Sequence, residues 1–72
     1  MGNQENISFA VNGLQAICRK GLTLEDYLVG AELEPHKVLV EINGQILRAE
    51  AFGTYELNAG DQVEIIHFVG GG

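Results

Sequence analysis

The glycines Gly70, Gly71 and Gly72 carry the clearest chemistry in the chain. They follow the apolar run Val63-Glu64-Ile65-Ile66-His67-Phe68-Val69, so a strand-like segment passes into one with no side chains. Glycine has the freest backbone and the narrowest cross-section of any residue. The four residues after Phe68 span about 13 Å when extended. That length is enough to thread the Gly72 carboxylate into a narrow active-site channel while the folded part stays outside. A flexible C-terminal Gly tail, residues 69–72, is therefore the expected functional element. Gly72 is its reactive residue, Gly71 the narrow approach and Gly70 the slack.

No other constellation competes with it. The sequence has neither a Walker A loop nor a Gly-x-Gly-x-x-Gly turn, so it carries no phosphate cradle of its own. His36 and His67 are the only histidines, and neither stands in metal-ligand spacing with Cys18, the lone cysteine. His36 follows Pro35 and reads as a solvated loop residue. His67 reads as structural, near a strand end. Cys18 reads as a small core or strand-end residue and has no disulfide partner within the chain, which fits a reducing compartment. Glu25 and Asp26 read as helix-terminus charges, not as an acid–base pair. No catalytic residue, no metal and no bound cofactor are expected.

Charge narrows the partners. Ten acidic residues against four basic ones leave a formal net charge of −6, which opposes nucleic acid and anionic membranes and suits a basic protein surface. The polar start Met1-Gly2-Asn3-Gln4-Glu5-Asn6 lacks the apolar centre of a signal peptide, and no run approaches membrane-spanning length. A cytoplasmic protein, monomeric when free, is expected. With 72 residues and 46% apolar content, the chain suffices for one folded domain over residues 1–72, with an ordered core of about 7–68.

The elements that must present the tail follow from local pattern. Asn12-Gly13 separates Ile7-Ser8-Phe9-Ala10-Val11 from Leu14-Gln15-Ala16-Ile17-Cys18. Asn-Gly favours a two-residue type I′ turn, which sets Val11 against Leu14, Phe9 against Ala16 and Ile7 against Cys18, all six on one face. Gly21 ends that hairpin. Thr23 stands where a helix N-cap belongs, with Glu25 and Asp26 in the first turn and Leu24, Tyr27 and Leu28 on the inner side. Gly30 and Pro35 bound this helix. Val38, Val40 and Ile42 alternate with Leu39 and Glu41, Asn43-Gly44 turns the chain, and Ile46-Leu47 returns. Residues 48–58 have no clean period. Ala49-Glu50-Ala51-Phe52 fits one helical turn, with Phe52, Tyr55 and Leu57 as anchors. Asn58-Ala59-Gly60-Asp61 is a turn cluster, and Gln62 to Phe68 is the last and most apolar strand, expected at the centre of the sheet. The expected fold is α+β: a mixed sheet of four to five strands packed on one main helix.

Three segments in this order resemble the ThiS family of sulfur carriers, within the ubiquitin-like β-grasp group that includes MoaD and ubiquitin. They are Val40-Glu41-Ile42-Asn43-Gly44-Gln45-Ile46, Gly60-Asp61-Gln62-Val63-Glu64-Ile65 and Phe68-Val69-Gly70-Gly71-Gly72. The resemblance covers nearly the whole chain. MoaD-type tails usually carry prolines and ubiquitin-type tails arginines; this sequence has neither after Arg48. The resemblance implies a ubiquitin-like β-grasp. It also implies that a ThiF-like E1 enzyme adenylates the Gly72 carboxylate with ATP. A cysteine-derived sulfur donor then turns it into a thiocarboxylate, and the thiazole synthase ThiG takes the sulfur for the thiazole of thiamine. The protein would be a carrier, not an enzyme.

Recognition needs a surface. With Val63 and Ile65 inward, Ile66 and Phe68 fall on the other face, and Leu39 shares their parity on the neighbouring strand. Leu39, Ile66 and Phe68 are the expected partner patch, with Glu64 and Glu41 as its polar rim. Three other readings stay open: a carrier of this fold for another sulfur pathway such as molybdopterin synthesis, a protein modifier joined to lysine, and a plain interaction module.

Overall fold

Each hairpin grows from an Asn-Gly pair held at positive φ, with Asn12 and Gly13 at 50° and 82° and Asn43 and Gly44 at 53° and 86°. These are the angles of type I′ turns, whose twist matches that of paired strands. The computed structural model describes residues 5–68. Residues 1–4 and 69–72, including the expected tail glycines Gly70, Gly71 and Gly72, lie outside the described residues.

The first turn joins β1 (Asn6–Val11) to β2 (Leu14–Arg19) in the expected antiparallel register, Val11 against Leu14, Phe9 against Ala16 and Ile7 against Cys18. Phe9 is buried and Ile7, Val11, Ala16 and Cys18 pack against the core. Leu14 shares their parity yet is 74% exposed. It sits at the turn end of an edge strand, beyond the reach of the core cluster.

The helix α1 (Leu24–Gly30) is one residue longer than the sequence suggested, because Gly30 is its last residue and not its stop. Thr23 caps it, accepting from the Asp26 N–H at 3.1 Å, and Glu25 and Asp26 lie in the first turn. A helix of seven residues is marginal in isolation, so packing must hold it. Leu24 and Leu28 are fully buried, and Tyr27 meets Phe9 edge-on at 5.5 Å. The residues without a clean period supply the rest. They form a 3-10 turn at Ala49–Ala51, bury Phe52 and Leu57, and half-bury Tyr55. The Phe52 and Tyr55 carbonyls accept from the Glu25 and Leu24 N–H groups, donors that a helix start cannot satisfy internally. At the other end the Leu33 N–H reaches back to the Leu28 carbonyl at 2.8 Å, leaving Glu32 at φ 63°. This is a Schellman ending with a glutamate at the position glycine usually takes.

A second hairpin, β3 (Val38–Ile42) and β4 (Gln45–Leu47), and the last strand β5 (Gln62–His67) complete one five-stranded sheet in the order β2-β1-β5-β3-β4. The last strand is central, as its apolar content implied. It runs parallel to β1 and antiparallel to β3. Val38, Val40, Ile42 and Val63 bury one face beside the helix residues. The architecture is the mixed-sheet, one-helix β-grasp that the resemblance implied.

Asp61 was legible only as a turn residue, but it is the one buried charged side chain among the described residues, 5% exposed. Its carboxylate accepts from the Asn43 amide at 3.0 Å, the Tyr55 hydroxyl at 2.7 Å and the Asn58 N–H at 3.0 Å. Burial pushes its pKa up, but the donors outweigh burial and hold the carboxyl below its ordinary value. Burial, together with the same contact, pushes the Tyr55 phenol up. A depressed carboxyl stabilises the fold above its unfolded-state pKa of about 3.9, and that contribution is lost as pH falls through the lower folded-state value.

Two outcomes follow for stability. Asp61→Asn presents an amide donor to three donors and lowers unfolding free energy by about 1–3 kcal/mol at neutral pH. The gap to wild type narrows below about pH 4, which urea titrations of both proteins across pH will read. Glu32→Gly relieves a left-handed residue and raises stability by about 0.5–1 kcal/mol in the same assay, net of the extra unfolded-state freedom of glycine.

Candidate functional site

Because α1 and the residues after β4 cover one face of the sheet, alternation sends every second strand residue to the other face, which stays open. The register brings together the side chains chosen from sequence. Leu39 lies directly across from Ile66, and Glu41 across from Glu64. Phe68 continues the parity, its N–H donating to the Lys37 carbonyl at 3.0 Å. Ile66 is 51% and Phe68 53% exposed, whereas Leu39 and Glu41 are half-buried and Glu64 is exposed. Of the expected patch, Leu39 and Ile66 are thus cross-strand neighbours, Phe68 lies two residues further on the same face, and Glu41 and Glu64 stand on the other side of the pair.

Two further apolar residues lie on this face, beyond those expected from the sequence. Ile46 pairs with Glu41 from β4 and is 61% exposed, and Ile17 points outward from β2 at 67% exposure. The two-residue turns already contained the signal, since each turn fixes the parity of its returning strand. Glu41 and Glu64 are like charges in direct cross-strand opposition, an unfavourable pairing. Among the described residues the ion pairs are Lys20–Glu5, His36–Glu34, Lys37–Glu34 and Arg48–Glu50, so none neutralises this pair.

The remaining polar groups lie elsewhere. His36 is exposed, 3.4 Å from Glu34. His67 is exposed at the end of β5, opposite Val38. Burial pushes the half-buried Cys18 thiol up and outweighs the nearby Arg19 charge, which keeps it protonated and a poor nucleophile. Among the described residues no three His, Cys, Asp or Glu side chains gather as a metal site, and no helix is long and apolar enough to cross a membrane. A depression of about 400 Å³ between the β3–β4 hairpin and Tyr55 is lined by Ile42, Asn43, Gln45, Ile46 and Leu47. Its lining has no charged side chain to hold a phosphate.

Known proteins are similar in sequence and in backbone. Residues 3–72 match the family described as ThiS. The chain is 44% identical over 50 residues to the sulfur carrier protein ThiS of Bacillus subtilis, covering 69% of this chain and 76% of that protein. It is 39% identical over 62 residues to a thiazole synthase of Magnetococcus marinus, covering 86% of this chain but spanning only 19% of that relative's length. The crystal structure of the thiamine biosynthesis protein ThiS of Geobacter metallireducens matches with a TM-score of 0.77 and 32% identity, covering 92% of this chain and 100% of that one. With sequence matched from residue 3 to residue 72 and the backbone matched over most of that span, this chain belongs to the ThiS family.

Proposed function

We propose that this protein is a sulfur carrier for thiamine biosynthesis and that its cargo rides on the Gly72 carboxylate. The observation that carries the reading is the ThiS match over residues 3–72, which includes Gly70, Gly71 and Gly72. A carboxylate is a poor electrophile until it gains a good leaving group. A ThiF-like adenylating enzyme supplies one: the Gly72 carboxylate attacks the α-phosphate of ATP, releasing pyrophosphate and forming an acyl adenylate. Hydrogen sulfide, or its equivalent drawn from cysteine, attacks the activated carbonyl, and the C–O bond to AMP breaks. The products are the thiocarboxylate, AMP and a proton. The chain acts as co-substrate, and the phosphate chemistry belongs to the partner.

The acceptor is a thiazole synthase of the ThiG kind. Support comes from the Magnetococcus protein of that name, in which a segment similar to this chain occupies 19% of the length. Carrier and acceptor in one polypeptide would raise the effective concentration of each for the other. The docking face is Leu39, Ile66 and Phe68, rimmed by Glu41 and Glu64. Ile66 and Phe68 are each about half exposed, so their loss barely affects the fold, whereas a partner that buries them gains apolar contact.

Intact-mass spectrometry tests the reading. Incubated with ATP, a ThiF-like enzyme and a sulfide source, the protein gains the mass of one oxygen-to-sulfur exchange, and removal of Gly72 abolishes the gain. An unchanged mass with a competent enzyme, or an undiminished gain without Gly72, refutes it. Ile66→Ala and Phe68→Ala each weaken binding to the adenylating enzyme by about tenfold in calorimetric titration and change unfolding free energy by about 0.5 kcal/mol or less.

A further inference from the structure

Where β1 ends, one edge of β5 loses its neighbour. The two strands are in register only at Ala10 with Gln62 and Val11 with Val63. The last backbone contact is the Asn12 N–H to the Val63 carbonyl at 2.8 Å, after which the chain turns back into β2. β5 runs on to His67, still paired with β3 on its other side as far as Phe68 and Lys37. The Ile65 backbone groups that face the vacated edge both bond to one side chain. The Ile65 N–H donates to Asn12 Oδ1 at 2.7 Å, and Asn12 Nδ2 donates to the Ile65 carbonyl at 3.2 Å. A carboxamide offers one acceptor and a donor side by side, as a peptide unit does. It therefore adds one rung to the ladder that β1 has left.

We infer that Asn12 is a positioning residue for the tail, holding the outgoing half of β5 in the sheet so that the chain leaves Phe68 from a defined point. This inference rests on the carrier reading of Gly72. Turn chemistry accounts for an asparagine at this positive φ but not for the two bonds its carboxamide makes to a strand 53 residues away. A terminus that must meet a reacting phosphate inside another enzyme gains from a fixed departure point, since misplacement by about 1 Å can cost orders of magnitude in rate. Without the carboxamide, residues 65–68 are held from one side only and open more readily.

Asn12→Gly separates the two roles by keeping the turn and removing the rung. Asn43→Gly is the matched control. Its side chain also clamps β5, accepting from the Gln62 N–H at 2.9 Å and donating to Asp61, but at the end of the strand away from the tail. Amide hydrogen exchange should show Ile65 protection falling about tenfold in Asn12→Gly and not in Asn43→Gly. In adenylation assays at a temperature where both variants are folded and with the adenylating enzyme saturated by carrier, Asn12→Gly should lower kcat about three- to tenfold. Asn43→Gly should retain the wild-type kcat. Asn12→Asp keeps the acceptor, loses the donor and should fall between wild type and Asn12→Gly; it serves as the test variant if Asn12→Gly does not fold. Unchanged Ile65 exchange, or a kcat no lower than that of Asn43→Gly, overturns the inference. Failure of the wild-type protein to be adenylated is a separate result, which overturns the carrier reading itself.

Discussion

The constraint on which the rest depends is that the last strand must be the central one. β5 is added after every other element, yet it joins the two hairpins, parallel to β1 on one side and antiparallel to β3 on the other. Backbone pairing with β1 covers only two residue pairs. The Asn12 side-chain amide supplies part of what the short ladder lacks, at Ile65, while the Asn43 side chain extends the pairing on the β3 side at Gln62. Asn43 is tied in turn to the buried Asp61, whose remaining donors are Tyr55 and Asn58. The residues that reverse each hairpin thus also hold the strand between them.

A small chain buries a modest fraction of its surface, so an apolar side chain left outside weakens it more than it would a larger protein. Among the described residues the buried cluster comprises nine apolar residues, while Leu14, Ile17, Val29, Ile46, Ile66 and Phe68 stay largely exposed. Four of those six, Ile17, Ile46, Ile66 and Phe68, lie on the open face, where Glu41 and Glu64 also oppose one another. A sheet selected for stability alone would place neither apolar groups nor facing like charges there.

The irregular segment after β4 shows why periodicity is a limited guide. Residues 48–58 have no repeat to read, yet they close one end of the helix by backbone bonds from Glu25 to Phe52 and from Leu24 to Tyr55. Phe52 and Leu57 were legible as anchors because they are large and apolar in a polar stretch. Their carbonyl neighbours were not, since any residue can supply a carbonyl. Asp61 shows the same limit from the other side. Its place in an Asn-x-Gly-Asp turn was visible, but its burial depends on Tyr55 and Asn43 arriving from elsewhere.

What the sequence determined by itself was local: both type I′ turns, the register they impose, the Thr23 cap and the parity that separates Val63 from Ile66. These follow from φ/ψ sterics and side-chain alternation over a few residues. The tertiary structure decided the contacts between residues distant along the chain. It set the parallel pairing of β1 with β5, the Asn12 carboxamide on a strand 53 residues away, the satisfied burial of Asp61 and the exposure of Leu14. No local preference encodes these, because each exists only once separate segments have packed and their unpaired polar groups have found partners in one another.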